Sequence, residues 1–76
     1  MNKDRRKRIR SVIQTIQNCA DIVDNIRDEE ETAMDNLPEN IQESDRYTAM
    51  EDAVAYLEEA GEALSEAIQN MEGAIS

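Results

Sequence analysis

A chain of 76 residues is long enough for one small domain, and near this size a single hydrophobic core is only marginally sufficient. The composition favours helices over a β-sheet, because the chain has two Gly, one Pro, two Tyr and no Phe or Trp. Its net charge of -10 argues against nucleic acid as the main partner. No stretch approaches the roughly 20 apolar residues of a membrane span, so we expect a cytoplasmic protein without membrane contact.

The first segment of the chain, residues 1–8, is a basic overhang in our prediction. A possible arm for an anionic partner such as nucleic acid comprises Lys3, Arg5, Arg6, Lys7, Arg8 and Arg10. No aromatic residue is interleaved with these side chains for base stacking. We therefore favour the interpretation that the arm neutralises the acidic second helix near Glu72, or a facing subunit.

The first helix is predicted over about residues 3–36. Its apolar residues are spaced alternately by three and four, which is the pattern of a coiled-coil seam. The predicted seam consists of Ile9, Val12, Ile16, Cys19, Val23, Ile26, Ala33 and Leu37. We expect Cys19, the only cysteine, to be a small buried hydrophobic side chain. Glu30 is the polar residue of the seam, either as a register device or, as we favour, with its carboxylate reaching water.

A connection is predicted over about residues 37–44. Pro38 has no amide hydrogen and pushes Leu37 out of helical geometry, so the first helix should end before it. Because proline suits a first helical position, Pro38 could also open a short helical turn. Ser44 is expected to cap a second helix that follows over about residues 45–75.

The second helix contains a heptad repeat, and its register matches that of the first. Its predicted seam consists of Tyr47, Met50, Val54, Leu57, Gly61, Leu64, Ile68, Met71 and Ile75. When the chain is folded back at the connection, opposed seam residues such as Val23 and Gly61 have residue numbers that add to 83 or 84 throughout. The predicted fold is therefore all-α, an antiparallel two-helix coiled-coil hairpin forming one domain over residues 1–76.

A second apolar stripe is predicted beside the seam. Two helices bury only one seam, which looks insufficient to order the whole chain, and a marginal monomer is the alternative to a partner. We expect a homodimer that forms a four-helix bundle. The candidate self-association stripe consists of Ile13, Ala20, Ile22, Ala49, Ala53, Tyr56, Ala60, Ala63 and Ala67.

The acidic surface permits two interpretations. From residue 11 onward the chain carries 17 negative and two positive side chains. They could form a solvated face of an interaction protein that binds a basic protein partner. Alternatively, rows such as Glu58, Glu59, Glu62 and Glu66 could imitate nucleic-acid phosphates and inhibit a host defence or DNA-binding protein.

Catalytic, metal-binding and cofactor-binding residues are not predicted, and we do not expect an enzyme. The chain has no His, no Gly-rich phosphate loop and no activated-serine motif. Di-iron bundles direct Glu-x-x-His pairs into their core, whereas most carboxylates here face outward on the predicted helices.

One segment of the chain resembles known proteins. It begins at Asp28 and runs through the Asn36-Leu37-Pro38-Glu39-Asn40 turn into Met50-Glu51 and the Ala- and Glu-rich repeat. It resembles a group of short uncharacterised acidic helical-hairpin proteins of Gram-positive bacteria, their phages and mobile elements. That group has no assigned activity, so the resemblance implies an accessory phage or plasmid setting and no site residue.

Overall fold

The protein folds as an antiparallel pair of long helices. The computed structural model describes residues 1–42 and 44–76, in which α1 spans Lys3–Asp35 and α2 spans Asp45–Ile75. A short 3-10 turn over Glu39–Ile41 lies between them. The hairpin is elongated, with principal Cα extents of 59 × 14 × 13 Å. The predicted fold class, an all-α helical hairpin, is therefore confirmed for the monomer.

Polar side chains define where both helices begin. The Asn2 carboxamide oxygen accepts the Arg5 amide hydrogen at 2.8 Å, and the Ser44 hydroxyl oxygen accepts the Tyr47 amide hydrogen at 3.4 Å. Each bond satisfies one of the amide groups that an α-helix leaves without an internal partner at its start. The Ser44 cap agrees with the sequence prediction.

The connection turns the chain through local hydrogen bonds. Pro38 precedes the 3-10 turn with a φ of -57°, and its carbonyl oxygen accepts the Ile41 amide hydrogen at 2.9 Å. The Gln42 side-chain amide donates to the Leu37 carbonyl at 3.1 Å, which ties the two ends of the turn together. Glu43, which also falls in the predicted connection, lies outside the described residues.

The predicted seam of α2 is confirmed. Val54 is the most buried of its residues at 8% exposure. The other seam residues of α2 are half-buried, namely Tyr47, Met50, Leu57, Gly61, Leu64, Ile68, Met71 and Ile75. Burial thus follows the alternation of three and four along the whole helix, as expected for a helix packed along one stripe.

The predicted seam of α1 is wrong at every second position. Ile13 is 9% exposed, whereas Val12 and Ile26 are 44% and 46% exposed and Cys19 is exposed. The half-buried or buried residues of α1 are Arg6, Ile9, Ile13, Ile16, Ala20, Val23, Arg27, Glu30, Glu31 and Met34, and Leu37 just after the helix is also half-buried. The expectations that Cys19 is buried and that Ile13 and Ala20 lie outside the seam are therefore overturned.

Arg27 explains how a charged residue occupies the observed seam of α1. Its guanidinium lies 2.8 Å from Asp28 and 3.8 Å from Glu31 on its own helix, and 3.7 Å from Glu58 on α2. Arginine can pack its aliphatic stem along an apolar surface while its charged end reaches carboxylates and water. The apolar stripe of α1 is wider than one seam, so its spacing alone did not decide which edge faces α2.

The interior of the hairpin is small. Among residues 1–42 and 44–76, Ile13 and Val54 are the buried apolar residues, and no side chain is completely enclosed. Within the same residues, neither helix has an apolar run long enough to cross a bilayer. Two helices that touch along one line leave most of each helix surface exposed. Longer helices would extend this single seam but would not widen the core.

Candidate functional site

The hairpin has two chemically different long sides. On α1 the positions just before the seam residues Ile13, Ala20 and Arg27 are apolar, and on α2 the positions just before Val54 and Gly61 are alanines. Positions on the opposite flank of the seam are mostly polar. Because the polar flanks of both helices line one groove, the apolar flanks lie together on the other side of the hairpin.

We call this second side the apolar face. Its residues come from both helices. On α1 the apolar strip runs from Val12 to Ala33 and is interrupted mainly by the polar residues Thr15 and Glu29. The apolar face consists of Val12, Cys19, Ile22, Ile26 and Ala33 on α1 and Ala49, Ala53, Tyr56, Ala60, Ala63, Ala67 and Ala74 on α2.

The apolar face contains most of the large hydrophobic side chains that the described part of the hairpin leaves in water. Ile22 is 58% exposed and Tyr56 is 72% exposed, and with Val12 and Ile26 they follow one side of the molecule. Single exposed hydrophobic residues are normal on a protein surface, whereas a contiguous group marks an interaction site. Their placement on one side is therefore the informative observation.

The structure divides the stripe predicted from the sequence into two groups. Exposed on the apolar face are Ile22, Ala49, Tyr56, Ala60 and Ala63, while Ala53 and Ala67 are half-buried at its inner edge. Ile13 and Ala20 lie between the helices instead. Val12, Cys19 and Ile26, which the sequence placed in the seam, take their places on the face. Apart from Ile22, the exposed side of α1 escapes prediction because the spacing of its apolar residues also fits the hairpin contact.

The opposite side, which we call the acidic side, is an open polar groove of about 610 Å³. Its charged lining includes Asp24, Arg27, Glu58, Glu62 and Glu66. Arg27 is the cation of this lining and is engaged by Glu58, so the remaining carboxylates face water. The groove can attract cationic groups, and its charge is screened by salt because it is exposed.

The basic arm lies at the end of the hairpin where both chain termini meet. The Arg6 guanidinium donates to the Ile75 carbonyl at 2.8 Å, satisfying one of the free carbonyls at the end of α2. Arg8 pairs with Asp4 on its own helix at 3.1 Å. Within the described residues the arm makes no ion pair with α2, so its expected neutralisation of Glu72 is not observed there.

Arg5 and Arg8 also border the apolar face. Together with Met1, Ile9 and Val12 they line a shallow groove of about 290 Å³ at the basic end of the hairpin. Met1 is 55% exposed, and the lining of the groove combines three apolar side chains with two cationic ones. The apolar face therefore ends in positive charge on this side.

No group of three metal-ligating side chains occurs among residues 1–42 and 44–76. The chain matches no protein-family model, no curated protein and no solved structure. The function is therefore argued from the chemistry of the two sides of the hairpin and of its basic end.

Proposed function

We propose that this chain is a small acidic coiled-coil interaction protein that self-associates through its apolar face and offers its acidic side to a basic protein partner. The self-associated form is a homodimer in which two hairpins make a four-helix bundle. The observation that carries this proposal is the contrast between the small core at Ile13 and Val54 and the large apolar side chains exposed on one side, namely Val12, Ile22, Ile26 and Tyr56.

The size of the apolar face supports a second copy as its occupant. A strip about 40 Å long and two helices, or about 20 Å, wide has an area on the order of 800 Å². That is the area that each partner contributes to a stable interface of standard size. Burying it also supplies the hydrophobic stabilisation that the isolated hairpin lacks.

The alanines of α2 suit close packing of helices. Ala53, Ala60 and Ala67 recur every seven residues, and Ala49 and Ala63 flank them. Small side chains let helix axes approach to the lower end of the usual 8–10 Å range. A helical partner therefore fits this surface better than a sheet or a loop would.

A matched pair of variants tests the interface. Ile26→Asp places a charge in the apolar face, whereas Gln17→Asp places the same charge on the polar flank of the same helix. We expect sedimentation velocity to show a dimer for the native chain and for Gln17→Asp, and a monomer for Ile26→Asp. Circular dichroism checks that both variants stay helical. A fully dimeric Ile26→Asp protein would place the interface elsewhere.

The acidic side favours one second candidate function, imitation of a nucleic acid. Glu58, Glu62 and Glu66 recur every four residues, so they are spaced by about 6 Å along one side of α2. Such a row could occupy the basic cleft of a DNA-binding protein or nuclease. In an affinity capture from host lysate, the native chain should then retain a nucleic-acid enzyme that is lost at high salt. The control is the Glu58→Gln, Glu62→Gln, Glu66→Gln triple variant, which should not retain the enzyme. Equal retention by the native chain and the triple variant would exclude nucleic-acid imitation.

A further inference from the structure

We infer that the two hairpins of the dimer pack end for end, with the basic arm of each copy beside the acidic loop end of the other. This arrangement rests on the proposed self-association through the apolar face. It assigns the arm a partner, namely the opposite end of a second copy of this chain.

Charge is strongly separated along the 59 Å length of the hairpin. Residues 1–10 carry six positive side chains and one negative one, and the contact between Arg6 and Ile75 places the end of α2 at the same end. The last ten residues of the chain add only Glu72 to that end. Residues 28–52, around the connection, carry ten negative side chains and Arg46. One end is therefore basic and the other strongly acidic.

Two symmetric arrangements can cover the apolar face with itself. A two-fold axis along the hairpin puts like ends together, so two loop ends with ten carboxylates each become neighbours. A two-fold axis across the hairpin puts each basic end beside a loop end. Helices in contact are 8–10 Å apart, which is about one Debye length at physiological salt, so these charges are only partly screened from each other. Charge therefore favours the end-for-end arrangement.

Side-chain size is compatible with both arrangements and does not decide between them. Like ends together would pack the larger residues of α1 on the alanines of α2. End-for-end packing places α1 on α1 and α2 on α2. The two α2 helices, which meet through alanines, would then have a shorter interaxial distance than the two α1 helices, and both distances fit the 8–10 Å range. Complementary charge is thus the feature that selects the orientation.

End-for-end packing also has a consequence for individual residues. Cys19 is the central residue of α1, so an axis near it brings Arg8 of each copy close to Glu29 of the other. Arg8 lies at the basic end of the apolar face and Glu29 interrupts the face toward the loop end, and within one chain they are 21 residues, or about 30 Å, apart along α1. They can therefore interact only between copies.

A double-mutant cycle measures this interaction. Arg8→Glu or Glu29→Lys alone places like charges together, and each should raise the dimer Kd on the order of fivefold because each contact occurs twice. The double variant restores opposite charges and should return the Kd to near the native value. Additive losses in the double variant would overturn the end-for-end arrangement.

A distance measurement tests the orientation directly. Nitroxide labels are attached to Lys3→Cys in a Cys19→Ala background, because Lys3 lies outside the apolar face. Pulsed dipolar spectroscopy should give about 50 Å between labels in the end-for-end dimer, from the 1.5 Å rise per residue, and less than about 30 Å with like ends together. The short distance would overturn the orientation and leave the dimer intact. A protein of 8.6 kDa without a dipolar signal would overturn the self-association as well.

Discussion

Ile13 and Val54 hold the two helices together at the scale of single residues. Each is less than a tenth exposed, while most other seam residues are half-buried. Replacing a buried aliphatic side chain with alanine loses the transfer free energy of the removed atoms and leaves a cavity. The same replacement at an exposed position removes few contacts and lowers the stability little. The stability of the hairpin should therefore be concentrated at a few positions.

Two isoleucines provide a matched comparison. Ile13→Ala should lower the free energy of unfolding by about 2 to 3 kcal/mol, because Ile13 lies between the helices. Ile22→Ala makes the same chemical change at a 58% exposed position and should cost less than about 1 kcal/mol. Urea unfolding at low protein concentration measures both. Equal losses would contradict the seam observed for α1.

The residues of α1 show which part of the site the sequence could predict. Ile9, Ile16, Val23 and Leu37 belong to both possible seams, so spacing alone placed them correctly. Spacing could not choose between Ile26 and Arg27, because hydrophobicity favours the first and the arginine stem permits the second. Only the position of α2, with Glu58 beside Arg27, decides that choice.

At the scale of elements, the ends of the helices depend on local chemistry. The Ser44 hydroxyl accepts the Tyr47 amide hydrogen and also donates to the Ile41 carbonyl, so it joins the connection to α2. Pro38 and Ser44 were sufficient to predict this turn, because a missing amide hydrogen and a capping hydroxyl act within a few residues. Element ends were therefore more predictable than the rotation of α1 about its axis.

Substitution of Ser44 tests the cap. Ser44→Ala should lower the free energy of unfolding by about 0.5 to 1 kcal/mol, because the first turn of α2 loses its side-chain acceptor. Ser44→Asp keeps an acceptor and suits the positive end of the helix dipole, so it should retain most of the native stability. Chemical unfolding followed by circular dichroism compares the three proteins. An Asp variant as unstable as the Ala variant would argue against capping at this position.

At the scale of the whole molecule, the hairpin is a rod with an apolar face, an acidic side and unlike ends. The spacing of the alanines of α2 was sufficient to place them beside the seam, whereas Val12, Cys19 and Ile26 could not be placed there, since they also fitted the seam. In the proposed dimer, a second copy covers the exposed apolar area and, packed end for end, pairs the basic arm with carboxylates that one hairpin cannot bring near it. Self-association is the central claim, since both the interface and its orientation depend on it.

Sedimentation equilibrium of the native chain at micromolar concentration tests that claim most directly. The proposed four-helix bundle predicts a mass of twice 8.6 kDa that falls toward 8.6 kDa only on further dilution. A mass of 8.6 kDa throughout the micromolar range would contradict self-association through the apolar face.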